Sequence, residues 1–162
     1  MALDRVQAFF RAHGMEAQVL VLAASSATVE MAAQALGCAP QRIAKTLSFW
    51  VEDQCALIVT AGDARIDNSR FKERFACKAR MPSAQEVLEK TGHAVGGVCP
   101  FAIPADVPVY LDASLRRFET VFPACGSDNS AIELTIPQLE QYAACADWVD
   151  VCKGWRDEEA AP

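Results

Sequence analysis

Histidine is scarce: His13 and His93 are the only two in 162 residues. Ser-His-Asp, Cys-His and histidine-metal chemistry each need a correctly placed imidazole, so those classes lose most of their support. A CxxC pair is missing too. The seven cysteines (Cys38, Cys55, Cys77, Cys99, Cys125, Cys145 and Cys152) are widely spaced and odd in number. That pattern fits neither a zinc site nor a secreted disulfide framework, and most are expected to be small, buried, reduced side chains. No apolar run reaches membrane-spanning length, and the chain turns amphipathic within its first residues, without a signal region. The expectation is a soluble, cytoplasmic protein with no membrane contact. Positive charge is also in deficit: 15 Lys and Arg stand against 21 Asp and Glu, a net charge of −6. Binding to nucleic acid through overall charge is thereby excluded, because neutralising phosphates takes Lys and Arg.

What is present is apolar. Hydrophobic residues make up 52% of the chain, enough for a substantial core in one domain, here placed at 1–153 with a polar tail over 154–162. Val6, Phe9, Phe10 and His13 have helical spacing up to Gly14. Residues 16–22 read as a strand. Ser25, Ser26 and Thr28 offer caps to a helix ending at Gly37. Two strands, about 43–51 and 55–61, are joined by Glu52-Asp53-Gln54 as a hairpin. Asn68 or Ser69 caps a helix over 69–76, and Ser83 with Glu86 forms a capping box for a helix to Lys90. A loop-rich stretch over 91–105 precedes strands at about 107–112, 120–124 and 131–136. Pro137 starts a helix to about Ala144, and 148–152 reads as a last strand. The hairpin excludes an all-parallel sheet. The fold class is therefore mixed α/β, a curled mixed sheet with helices packed around it.

Five places hold residues suited to chemistry. On the strand 44–51, side chains alternate faces, so Lys45 shares the more apolar face with Leu47, Phe49 and Val51. Either it snorkels from the rim into water, or it sets an ammonium at the mouth of an apolar pocket, where it meets an anion or a developing oxyanion. The loop Val95-Gly96-Gly97-Val98-Cys99-Pro100-Phe101 is either an ordinary turn or a concavity of amides able to hold a carbonyl oxygen that gains charge. Cys99 has no evident base partner and reads more readily as a bystander than as a nucleophile. The polar loop before Ile132, with Gly126 and Ser127, reads as a turn or a strand-mouth site, and Asp112 reads as a cap or the partner of a base. Between residues 65 and 80 lie Arg65, Arg70, Lys72, Arg74, Lys78 and Arg80, against only Asp67 and Glu73. This is a solvated helix face or a phosphate-contacting patch.

In order, Arg42-Ile43-Ala44-Lys45-Thr46-Leu47, Leu57-Ile58-Val59-Thr60-Ala61-Gly62-Asp63, residues 91–101 from Thr91 to Phe101, Val109-Tyr110-Leu111-Asp112, and Gly126-Ser127 before Ile132-Glu133-Leu134 resemble the YbaK/ProX (YbaK/EbsC-like) aminoacyl-tRNA editing domains. That family is similar to the editing insertion of prolyl-tRNA synthetases, and the likeness runs from about residue 3 to 152. It implies a partly barrel-like mixed sheet and a free-standing deacylase for mischarged tRNA, with a small amino acid on tRNA for proline. It implies no cofactor and no metal. Lys45 and Gly97 then fall on the catalytic positions, and Thr46, Gly96, Val98, Pro100, Asp112, Gly126 and Ser127 on substrate-binding ones. Arg65, Arg70 and Arg74 are candidate tRNA contacts. The expected partners are aminoacyl-tRNA and an aminoacyl-tRNA synthetase, with no sequence-specific DNA. After Pro100-Phe101 the chain continues Ala102-Ile103-Pro104, where the cysteine-specific members carry glycine and basic residues after the proline, so the amino acid stays open. The competing expectation is a non-catalytic aminoacyl-tRNA or amino-acid sensor on the same fold.

Overall fold

Two apolar runs separated by two polar residues build the centre of the molecule. The computed structural model describes residues 2–23 and 28–156. In it β2 (Ile43–Val51) and β3 (Gln54–Ala61) pair antiparallel from Ala44↔Ala61 to Val51↔Gln54. The turn is only Glu52-Asp53, both at positive φ (51° and 65°), the pattern of a type I′ hairpin turn; Gln54 already belongs to the strand.

Around this hairpin the sheet grows mostly by parallel neighbours. β5 (Val109–Asp112) lies parallel to β3, and β9 (Asp147–Val149) parallel to β5. On the other side β6 (Thr120–Pro123) runs parallel to the start of β2, and β8 (Leu134–Thr135) antiparallel to β6. The result is a curled, half-barrel sheet in the order β8-β6-β2-β3-β5-β9. Two small ribbons flank it: β1 (Leu20–Val21) with β7 (Ser130–Ala131), and β4 (Arg65–Ile66) with β10 (Cys152–Lys153). All of β3 from Cys55 to Ala61 is buried, which is why it reads as a continuous apolar run rather than an alternating one.

The helices are α1 (Ala2–Ala12), α2 (Val29–Leu36), α3 (Asn68–Phe75), α4 (Ala84–Thr91) and α5 (Ile136–Tyr142). Val6 and Phe10 of α1 and Phe71 of α3 are fully buried, and Phe71 meets Phe49 of β2 at 5.0 Å between ring centroids. Among the described residues no helix is long and apolar enough to cross a membrane.

Several boundaries differ from the sequence expectation for identifiable reasons. The strand expected over 16–22 is a 3₁₀ turn at Glu16–Gln18 followed by the two residues of β1. α3 is capped by Asp67, whose carboxylate accepts from the amides of Ser69 and Arg70, not by Asn68 or Ser69. Thr28 caps α2; Ser25 and Ser26, also offered as caps, lie outside the described residues. The strand expected over 131–136 divides into β7 and β8, because Glu133 between them turns out to Arg42 (2.9 Å). Ser83–Glu86 forms the capping box as expected, and Thr135–Gln138 forms a second one ahead of α5.

Candidate functional site

A cleft opens where the sheet splits. Pairing of β2 with β6 ends at Ala44. The same edge of β2 is next covered at Trp50, whose N–H donates to Arg80 O at 2.8 Å. Along an antiparallel pair, inward and outward backbone groups alternate, so the N–H and C=O of Thr46 and Ser48 point outward into this gap. The cleft has a volume of about 340 Å³. Val29, Ala32 and Leu36 of α2 form one wall at helical i, i+3, i+7 spacing, Ile43 and Phe122 the base, and Met81 and Val95 the rim.

The polar groups in this apolar setting are few. Lys45 lies half-buried at the mouth, and among the described residues its side chain makes no hydrogen bond or ion pair. Burial pushes its ammonium below the usual lysine range, and the nearby Arg65 adds to that, against Asp63 and Glu30 pulling the other way. The Thr46 hydroxyl oxygen is buried and has no hydrogen-bond partner among the described residues. Ser48, Ser130 and Thr28, whose hydroxyl caps α2, complete the set, and no carboxylate or imidazole lines the cleft among the described residues.

The glycine loop supplies the facing side, with a change of parts. Gly96 (φ +99°) and Val98 line the cleft, and their N–H groups have no hydrogen bond among the described residues. Gly97 was the expected amide donor, but it is buried and its N–H already donates to Ala94 O at 3.0 Å. A Cβ on Gly97 would stand 2.7 Å from the Ser127 backbone, so the glycine there permits two loops to touch. Pro100 is buried and Gly126 packs against the start of α1; neither lines the cleft. Ser127 acts one step removed: its Oγ lies 2.8 Å from Ser130 Oγ and 2.8 Å from Asn129 Oδ1, which holds Ser130 on the cleft wall.

Asp112 is a cap rather than a substrate ligand. It is fully buried, and its two oxygens accept from the amides of Ser114 and Val151, each at 2.9 Å. Arg74 and Arg70 are also spoken for, by Asp147 at 2.9 Å and Asp150 at 3.5 Å. These carboxylates lie more than seventy positions away in sequence. Of the three candidate tRNA contacts only Arg65 stands beside Lys45, across a second groove.

The structure also brings together a pair that the sequence did not suggest. His93 Nε2 lies 3.5 Å from Cys99 Sγ, and both residues are fully buried. His93 Nε2 is also 2.8 Å from Phe101 O. A carbonyl only accepts, so this nitrogen carries the proton and cannot take one from the thiol. Burial pushes the Cys99 thiol up to about 12 and the His93 imidazole below its ordinary value. This is a neutral packed pair, not a nucleophile and its base. Missed as well were Met81, Pro82 and Val87 on the cleft wall; an exposed methionine before a proline carries no signal of its own in the sequence.

The site is an apolar cleft on a split half-barrel, with one lysine that is unpaired among the described residues and a glycine loop opposite. The chain belongs to the aminoacyl-tRNA editing domain family, whose profile matches residues 23–142. It is 54% identical over 156 residues to the uncharacterized protein YwhH of Bacillus subtilis (strain 168), covering 96% of this chain and 99% of that one. It is 32% identical over 104 residues to a proline–tRNA ligase of Shouchella clausii (strain KSM-K16), covering 64% of this chain and 18% of the ligase. A solved structure described as a putative trans-editing enzyme for prolyl tRNA synthetase superposes with a TM-score of 0.84 at 30% identity, covering 94% of this chain and 98% of that one.

Proposed function

We propose that the protein is a hydrolase of mischarged tRNA, cleaving the ester between a small amino acid and the terminal ribose, with tRNA for proline as the carrier. The observation that carries this reading is the unpaired, half-buried ammonium of Lys45 at the mouth of an apolar cleft that contains no carboxylate or imidazole among the described residues. The family and its proline–tRNA ligase relatives supply the substrate class.

The chemistry follows from what lines the cleft. The apolar surface of Val29, Ala32, Leu36 and Phe122 takes a small apolar side chain. Water attacks the ester carbonyl, and the vicinal ribose hydroxyl of the substrate receives and relays the proton. Lys45 Nζ and the free amides of Gly96 and Val98 hold the carbonyl oxygen as it gains charge, a contribution that grows in a water-poor site. Collapse breaks the C–O bond to the ribose, releasing the amino acid and returning the proton to the ribose oxygen. Selection by size alone is modest, about 10–200-fold per methylene, so the cleft is suited to removing small wrong amino acids rather than ranking similar ones.

The test is a panel of tRNAs carrying alanine, serine or cysteine, incubated with wild type and Lys45→Ala. Deacylation of at least one by wild type and its loss in the variant are expected. An intact panel overturns the hydrolase reading; tight binding of a nonhydrolysable aminoacyl-adenosine analogue without turnover would replace it with a sensor.

A further inference from the structure

On the opposite face of β2 from Thr46 lies a second groove of about 370 Å³, lined by Lys45, Leu47 and Phe49 of β2, Arg65 and Ile66 of β4, and Asn68. Its charge is unusual for an acidic chain. Arg65 pairs directly across the β4–β10 ribbon with Lys153, so the two side chains leave the same face. Like charges placed directly opposite are destabilising. Both residues are exposed, and neither makes an ion pair among the described residues. Lys45, also unpaired, closes the end of the groove and opens into the amino-acid cleft as well. The acidic groups nearby are engaged: Asp63 is held by both Nη atoms of Arg117 (2.9 and 2.5 Å), Asp67 caps α3, and Asp150 takes Arg156 and Arg70. Glu30 bears on Lys45 from the α2 side.

We propose that this groove is a subsite for a backbone phosphate of the RNA substrate, held by Arg65 from the groove wall and by Lys153 from the neighbouring position on the same face of the β4–β10 ribbon, with Lys45 standing between the phosphate and the aminoacyl ester. The mismatch of like charges across β4–β10 is relieved when a phosphodiester sits between them, and the continuity of the groove with the cleft through Lys45 places that phosphate within the last few linkages of the 3′ end. The arginine supplies the planar fork that suits a phosphate, the lysines point charges. The assignment rests on the editing reading for the identity of the RNA, and its test does not depend on turnover.

The probe is an uncharged acceptor-stem RNA hairpin with a 3′-CCA end, its binding measured from about 50 to 200 mM salt. Arg65→Ala is expected to weaken binding roughly tenfold and to lower the slope of log K against log salt by about one. Lys153→Ala moves both in the same direction, and Arg65→Lys retains the slope. Arg74→Ala, which removes an equal charge already held by Asp147, leaves both near wild type. Neutral methylphosphonates at the three 3′-terminal linkages should cost wild type what Arg65→Ala costs, and cost that variant little more. The assignment is overturned by a wild type that does not bind the hairpin, by unchanged slopes in both Arg65→Ala and Lys153→Ala, by an equal loss in Arg74→Ala, or by additive losses with the methylphosphonates. A negative deacylation panel with an intact slope difference removes the hydrolase and keeps the groove; a positive panel with no slope difference does the reverse.

Discussion

Cys99 Sγ and His93 Nε2 lie 3.5 Å apart in the fully buried interior, and the imidazole N–H donates to the carbonyl of Phe101. A thiol pushed up to about 12 is essentially all protonated at neutral pH. Cys99→Ala is therefore expected to keep deacylation within about twofold of wild type, and a thiol reagent such as DTNB should not label Cys99 in the native protein. Loss of a buried sulfur leaves a small cavity, costing about 1 kcal/mol on thermal or denaturant unfolding. A hundredfold loss of activity in this variant, with stability intact, would return the cysteine to the chemistry.

Thr46 separates a stability effect from a functional one. Its hydroxyl oxygen is buried in the cleft wall without a partner among the described residues, and leaving such a group unpaired costs about 1–3 kcal/mol. Thr46→Val keeps the shape and removes the orphan. Thermal unfolding should show equal or higher stability, up to about 1 kcal/mol, while kcat/KM falls about tenfold because the substrate loses its hydrogen bond. Equal kcat/KM in the two proteins would show that the hydroxyl never meets the substrate.

Gly97→Ala tests the contact between loops. The added methyl group would meet Ser127 Cα and N at 2.7 Å. These are backbone atoms, which cannot swing aside. Overpacking of this kind costs about 1–3 kcal/mol, and the displaced loop carries Gly96 and Val98 away from the cleft. Unfolding and kcat/KM should both suffer. A variant as stable and active as wild type would mean that the loops part without consequence.

If Lys45 acts as proposed, it is expected to set the alkaline side of the pH profile. Burial lowers its pKa from the ordinary lysine value, and the ammonium is the form that stabilises an oxyanion. Activity is therefore present below this lowered pKa and falls as pH rises through it, so the alkaline limb should lie below the usual lysine range. Lys45→Ala should lose about 10²–10³-fold in kcat. Lys45→Arg, which stays charged at any accessible pH, should abolish the limb in whatever activity remains. A limb shared unchanged by Lys45→Arg would assign it to another group.

Much of this architecture is legible in the residues themselves. The β2–β3 hairpin is bounded by charged residues, and Ser83 with Glu86, Gly37 and the Phe71/Phe75 spacing are local signals answered by local hydrogen bonds and packing. The misplacements share a cause in long-range partners. Glu133 interrupts a strand because Arg42, ninety-one positions earlier, draws it outward. Arg70 and Arg74 looked like a free basic patch because Asp147 and Asp150 are remote in sequence. Within the candidate site, Lys45 was conspicuous as a charge on an apolar face and Gly96 as half of a glycine pair. The transfer of the amide role from Gly97 to Gly96 and Val98 depends on a single hydrogen bond to Ala94 O, which residue order does not encode.

The parting of β2 from β6 after Ala44 leaves Thr46 and Ser48 with outward amides that no neighbouring strand covers among the described residues. Their protons should trade with deuterated water faster than those of Leu47 and Phe49, whose amides face β3 within the same ladder. A ligand seated in the gap completes the ladder at those two positions, so occupancy becomes visible as selective slowing of two backbone exchange rates, read from the protein alone and without any reaction being followed.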